Sequence, residues 1–152
     1  MDAELIVEQW RVADVLPHRG DMLFIDTIDY VDDDCIVCGL HSHPSAFVDA
    51  KGRVPAWVGM EYMCQAVAAL EGIRRLQHGY PITLSFVIGS RRMLAAKPFF
   101  QIGQPLHVSA QVDMRDNVQL GVYRCQVKNG SELLLSAMIK GVMPDNLDMV
   151  FG

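Results

Sequence analysis

Pro55-Ala56-Trp57-Val58-Gly59-Met60-Glu61-Tyr62-Met63-Cys64-Gln65-Ala66 opens a run that meets no further proline until Pro81. Helix formers fill it: Met60, Glu61, Met63, Gln65, Leu70, Glu71 and Leu76 among several alanines. Pro55 suits a first helical turn, where its missing N–H costs nothing. Gly79-Tyr80-Pro81 closes the run. The spacing predicts one helix from Pro55 to about His78. Its first four turns are apolar nearly all round, which predicts a buried helix.

Outward from the helix the pattern becomes β-like. Thr83–Ile88, Leu106–Met114, Gln119–Val127 and Glu132–Val142 alternate as strands do. Asp116-Asn117 and Asn129-Gly130 are turn pairs between them, and Asn-Gly is a strong hairpin signal. Upstream, Met22–Asp26 with Ile28 and Tyr30 predicts a strand, Asp32-Asp33-Asp34 a turn, and Cys35–Leu40 its antiparallel partner. Leu16–Asp21 and His43–Arg53 are punctuated as loops, and residues 3–13 predict a short helix. A hairpin, a long helix and four more strands describe an α+β fold in which an antiparallel sheet wraps the helix. With no internal repeat and no low-complexity linker, 1–152 is expected to form a single domain.

Composition removes several functions. Of 152 residues, 51% are hydrophobic and 20% charged, a mixture for a packed globule. The net charge is −5 with no basic block, which disfavours nucleic acid and anionic membranes as partners. Mean hydropathy is +0.18, and no apolar run reaches the ~18 residues of a membrane span. The acidic start Met1-Asp2-Ala3-Glu4 is unlike a secretory signal, so a cytoplasmic location is expected. Cys35, Cys38, Cys64 and Cys125 are expected to be free thiols, because Cys35-x-x-Cys38 has no second half-site and residues three apart on a strand face opposite ways.

The candidate chemistry gathers on the helix. Glu61 and Gln65 are four apart and share a face with Trp57, one turn earlier. An unpaired carboxylate buried among Val58, Met60, Met63, Cys64 and Val67 is costly. Two readings follow: Glu61 tips into solvent or pairs with an arginine, or it is an acid of raised pKa that transfers a proton. The amides of Ala56, Trp57 and Val58 lack intrahelical acceptors and suit a developing oxyanion. Gly59 allows a close approach by another group.

Of the histidines at 18, 41, 43, 78 and 107, no pair has a helical zinc spacing. His41, His43 and Asp49 lack an evident fourth ligand, so no metal is expected. His18, after Pro17 in a fixed loop, is the best-placed general base. No Gly-rich nucleotide loop and no serine elbow occurs, so no cofactor is expected. Arg91-Arg92 is a basic pair in an acidic chain, either a solvated edge or a contact for a phosphate or an acidic carrier protein.

Leu16-Pro17-His18-Arg19 followed by Met22-Leu23-Phe24-Ile25-Asp26 resembles the opening motif of β-hydroxyacyl-acyl carrier protein dehydratases. Pro55 through Ala66 resembles their P-G…E-A-M-A-Q helix, with the same Pro-to-Glu distance. The helix wording and Gly89-Ser90-Arg91-Arg92 are more similar still to the dehydratase-like proteins of aryl polyene biosynthesis. The resemblance covers roughly residues 14–142. It implies a hotdog fold, dimers with sites at the subunit interface, and loss of water from 3-hydroxyacyl thioesters on an acyl carrier protein without a cofactor. It implies Glu61 as the carboxylate, Gln65 orienting it or packing beneath it, and the Ala56 and Trp57 amides at the thioester carbonyl. In the fatty-acid enzymes a loop histidine stands fourteen residues before the glutamate, and here that position is Phe47. The base is then expected from His18, from His43 or from a partner chain. The alternatives are an acyl-thioester hydrolase using Glu61 to activate water, and a non-catalytic carrier-binding subunit. The partner is a second copy or another hotdog subunit.

Overall fold

The computed structural model describes residues 10–18, 20–41, 47–82, 86–101, 103–116 and 120–142. In chain order the elements are α1 (Val12–Val15), a 3-10 turn (Gly20–Met22), β1 (Thr27–Val31), β2 (Cys35–His41) and β3 (Arg53–Pro55). A second 3-10 turn (Ala56–Val58) leads into α2 (Gly59–Gln77), followed by β4 (Phe86–Ala95), β5 (Phe99–Gln101), β6 (Pro105–Arg115), β7 (Leu120–Asn129) and β8 (Glu132–Val142). Six strands form one antiparallel sheet in the order β1-β2-β6-β7-β8-β4, and β3 pairs with β5 in a separate ribbon.

The sheet wraps α2 as the hotdog resemblance implies. Alternation puts Ile36, Cys38 and Leu40 of β2 on the buried face, with Leu106, Val108 and Ala110 of β6, Tyr123, Cys125 and Val127 of β7, and Leu135, Ala137 and Ile139 of β8. The helix meets them with Met63, Ala66, Ala69, Leu70 and Ile73, all 0–1% exposed. Small residues set the distance. A Cβ on Gly72 would lie 2.6 Å from the Val15 carbonyl oxygen and 2.9 Å from Ile82 Cδ1, so α1 packs directly on the helix backbone.

The C-terminal half of α2 is tied down electrostatically. Glu71 Oε1 accepts from Arg115 Nε at 3.0 Å and Nη2 at 2.8 Å, and Oε2 accepts from Arg74 Nη1 at 3.0 Å. Arg115 also donates to the Asp33 carbonyl at 2.8 Å and to Asp34 at 3.2 Å. One guanidinium therefore joins the helix, β6 and the β1–β2 turn. Burial, then the neighbouring Glu71 charge, pushes the Tyr123 phenol well above its ordinary range.

Three expectations are corrected. The strand expected from Met22 begins at Thr27, because Phe24 and Ile25 are consecutive and both buried, which no two-faced strand allows. The first turn of the expected helix is 3-10. Two three-residue strands, β3 and β5, stand where loops were expected, too short to show periodicity. Most of the short helix expected at 3–13, the start of the strand expected at Thr83 and the Asp116-Asn117 turn lie wholly or partly outside the described residues.

Candidate active site

The start of α2 is built by the β3–β5 ribbon. Pro55 pairs with Phe99, and the Ala56 amide donates to the Pro98 carbonyl at 2.8 Å. The expectation that this amide is free for a substrate carbonyl is corrected: the ribbon uses it. Of the Ala56–Trp57 pair named from the sequence, the Trp57 amide remains. Gly59 does allow a close approach, but the approaching groups are core side chains. A Cβ there would sit 2.5 Å from Leu135 Cδ2 and 3.1 Å from the Phe100 ring.

Trp57, Glu61 and Gln65 were read as sharing one face. A four-residue step turns roughly 40° around the axis, so the three drift from solvent towards the core. Trp57 is 59% exposed and Gln65 0% exposed, with Glu61 still on the solvent side. Of the two readings for Glu61, the single chain matches the first: the residue is exposed, in the first turn of the helix. Its charge reaches Cys64, the next residue on its face. Burial first, and the Glu61 carboxylate second, push that thiol up to about 12.

Gln65 is a clamp. Its Oε1 accepts the Phe24 amide at 3.0 Å and its Nε2 donates to the Met22 carbonyl at 2.6 Å. The side chain pairs with backbone at both ends and pins the 22–24 segment to the helix. The resemblance implies that Gln65 orients Glu61 or packs beneath it; in the structure its amide bonds the backbone of Phe24 and Met22.

Phe47 occupies the loop position fourteen residues before Glu61. Its ring meets Trp57 edge-on, with centroids 5.6 Å apart and planes at 85°. The loop carrying it is locked by Asp49. Oδ1 accepts the Lys51 and Arg53 amides, both at 2.9 Å, and Oδ2 accepts Arg53 Nε at 2.8 Å. The Arg53 amide, with Arg53's guanidinium and the Lys51 amide, outweighs burial and lowers the Asp49 pKa. Arg53 in turn lies 4.1 Å above the Phe99 ring. Sequence reasoning missed this lock, whose only trace was the four-residue spacing of Asp49 and Arg53.

No described histidine forms an ion pair with Glu61. Val15 packs on Gly72 while Met22 and Phe24 bond Gln65, so the segment carrying His18 is bracketed between those helix levels. These are roughly one to three turns beyond Glu61. His18 itself is half-buried. His41 and His107 sit on strands with Nδ1 of His41 3.6 Å from Asp26 and Nε2 of His107 3.4 Å from Asp29. His43 lies outside the described residues. Asp49, considered with His41 and His43 as a ligand, is engaged by Arg53. Among the described residues, no three His, Cys, Asp or Glu side chains are placed to hold a metal. All four cysteines are free. Arg91 and Arg92 lie exposed on β4, an edge of the six-stranded sheet.

Comparison with known proteins now bears on this geometry. A model of the ApeP-like family, described as ApeP dehydratase, matches residues 10–152. No curated protein matches. The fold is similar to the dehydratase heterocomplex ApeI:P from Xenorhabdus doucetiae at TM-score 0.85 and 20% identity, covering 93% of this chain and 96% of that one. It is similar to the sigma28-regulated virulence protein Cj0977 of Campylobacter jejuni at TM-score 0.64 and 18% identity, covering 89% and 96%. A hypothetical thioesterase with coenzyme A from Streptococcus pneumoniae matches at TM-score 0.57 and 11% identity, covering 76% and 83%. No helix among the described residues is long and apolar enough to cross a membrane.

Proposed function

The chain belongs to the ApeP-like dehydratase family, and from that premise we propose that it is a subunit of a hetero-oligomeric hotdog dehydratase. The substrate is a 3-hydroxyacyl thioester on an acyl carrier protein, in an aryl polyene or fatty-acid-like synthesis. A base removes the C2 proton, the electron pair forms the C2=C3 bond, and the 3-hydroxyl leaves as water with a proton from Glu61. The Trp57 amide meets the thioester carbonyl as charge develops there. A second subunit laid over the helix start would withdraw Glu61 from water. His18 is this chain's candidate base, reaching a site across a subunit boundary rather than within its own chain.

The observation that carries the reading is a helix start with an exposed carboxylate, Glu61, that forms no ion pair with any described residue. Phe47, packed on Trp57 at the loop position of the relatives' histidine, favours a second reading: this subunit binds the carrier-borne chain while its partner performs the chemistry.

The test follows water loss from a 3-hydroxyacyl carrier-protein thioester by mass, for the chain with a co-expressed hotdog partner. Under the first reading Glu61→Gln lowers the rate by about 10²–10⁴-fold, and His18→Ala lowers it likewise. Unchanged rates in both variants would select the second reading. Loss of the whole acyl group would establish a hydrolase instead.

A further inference from the structure

The face of the sheet turned away from α2 holds a groove of about 280 Å³ across β7, β8 and β4, lined by Gly89, Arg91, Val122, Met138 and Lys140 among others. Alternation explains which side chains reach it. Leu135, Ala137 and Ile139 of β8 face the core, so Met138 and Lys140 face outward. Arg124 and Arg91 flank Met138 on the strands either side, and Val122 and Gly89 flank Lys140. A bulge between Val87 and Gly89 kinks β4 at this point. A Cβ on Gly89 would meet nothing within 4 Å, so the space over it stays open. The charges around the groove are unbalanced. Asp113 answers Arg124 at 3.2 Å, and Glu132 is taken by Lys97 at 3.0 Å. Arg91 and Lys140 form no ion pair with a described residue. They are diagonal cross-strand neighbours, about 7–8 Å apart at the backbone and within reach of long side chains. Two cations thus face one groove whose floor is the half-buried Met138 and Val122.

We propose that this groove binds a small phosphate ester carrying a short apolar arm. The inference goes beyond the dehydration reading and uses neither Glu61 nor the helix start. A phosphate monoester carries about −1.5 to −2 charges at neutral pH and three strong acceptor oxygens. Two of them match the planar fork of the Arg91 guanidinium, and the third is left for the compact ammonium of Lys140. A carboxylate offers one charge and two oxygens in a single plane, enough for the arginine but not for both cations. Met138 and Val122 then receive the carbon arm. The unbranched, polarisable Met138 side chain adapts to irregular shapes. The groove is smaller than the ~300–1,000 Å³ of pockets for drug-sized ligands, so the arm is short. The chain as a whole carries −5, so the attraction for an anion is local to these strands rather than a property of the whole surface.

The test titrates the full-length, isotope-labelled protein, with any subunit that co-purifies, and follows its amide resonances. The probe is n-butyl phosphate, with inorganic phosphate and n-butanol beside it. Butyl phosphate should shift the amides of residues 89–91, 122 and 138–140 and bind severalfold more tightly than inorganic phosphate. Butanol at the same concentrations should leave them in place. Arg91→Gln and Lys140→Gln alter exposed side chains, so both variants should fold, and each should weaken butyl phosphate by about tenfold. Met138→Ser should bring butyl phosphate down to the affinity of inorganic phosphate and leave inorganic phosphate unchanged. Binding of butyl phosphate that survives both glutamine variants, or shifts confined to other parts of the chain, would overturn the proposal. Equal affinity of wild type for inorganic and butyl phosphate would remove the apolar arm and overturn it as stated. So would an acidic carrier protein without its prosthetic group that shifts these amides while butyl phosphate does not, since the groove would then be a protein contact. None of these readouts involves Glu61, so they stand or fall separately from the water-loss assay.

Discussion

Two glutamates ten residues apart on α2 have opposite surroundings. Glu71 is 13% exposed and shares its oxygens among Arg74 and two nitrogens of Arg115. Glu61 is exposed and forms no ion pair with any described residue. Through Arg115, the first ties β6 and the β1–β2 turn to the helix. The second contributes nothing visible to the single chain, although it costs an apolar helix a charged position. A carboxylate without an ion pair to any described residue is the one the proposal above assigns to the substrate.

That contrast can be broken by experiment. Glu71→Ala strands the Arg115 guanidinium, 18% exposed, without its main counter-ion. Loss of about 3–5 kcal/mol is expected in urea unfolding, against less than about 0.5 kcal/mol for Glu61→Ala. Equal losses would erase the distinction. Gln65→Leu leaves the Phe24 amide and Met22 carbonyl unpaired, at a cost of about 1–3 kcal/mol. It should also loosen the segment after His18, seen as faster amide exchange at 22–24. The smallest effect concerns Cys64. A thiol held up at about 12 is almost wholly protonated at pH 8, so alkylation of the folded chain should be slow beside that of the chain in urea. Glu61→Gln removes one of the charges holding it there and should quicken alkylation severalfold, whereas Glu71→Gln should not.

Much of this was legible in the sequence. The span from Pro55 to His78 located the helix to within a few residues, since a long apolar run without proline has few other uses. The strands at Leu106, Gln119 and Glu132 followed from alternation. Glu61 was recognisable as out of place. Which of its two readings holds was not, because periodicity gives the angle of a residue around its helix and not which side a distant strand leaves uncovered. The same limit explains Gln65: its partners, at Phe24 and Met22, lie more than forty positions away in the chain. Ala56 failed for a related reason. A helix start looks unsatisfied until Pro98 supplies its carbonyl, and no local pattern announces that bond.

The bond from Ala56 to Pro98 has a mechanical consequence. Pro98 comes three residues after β4 ends, and Ala56 immediately precedes Trp57. The end of β4 and the start of the helix are therefore joined by a link a few residues long. Force applied at one end arrives at the other with little slack. A shift at the end of β4 would then move the helix start with it, much as tightening a string at its peg sets the pitch elsewhere along it.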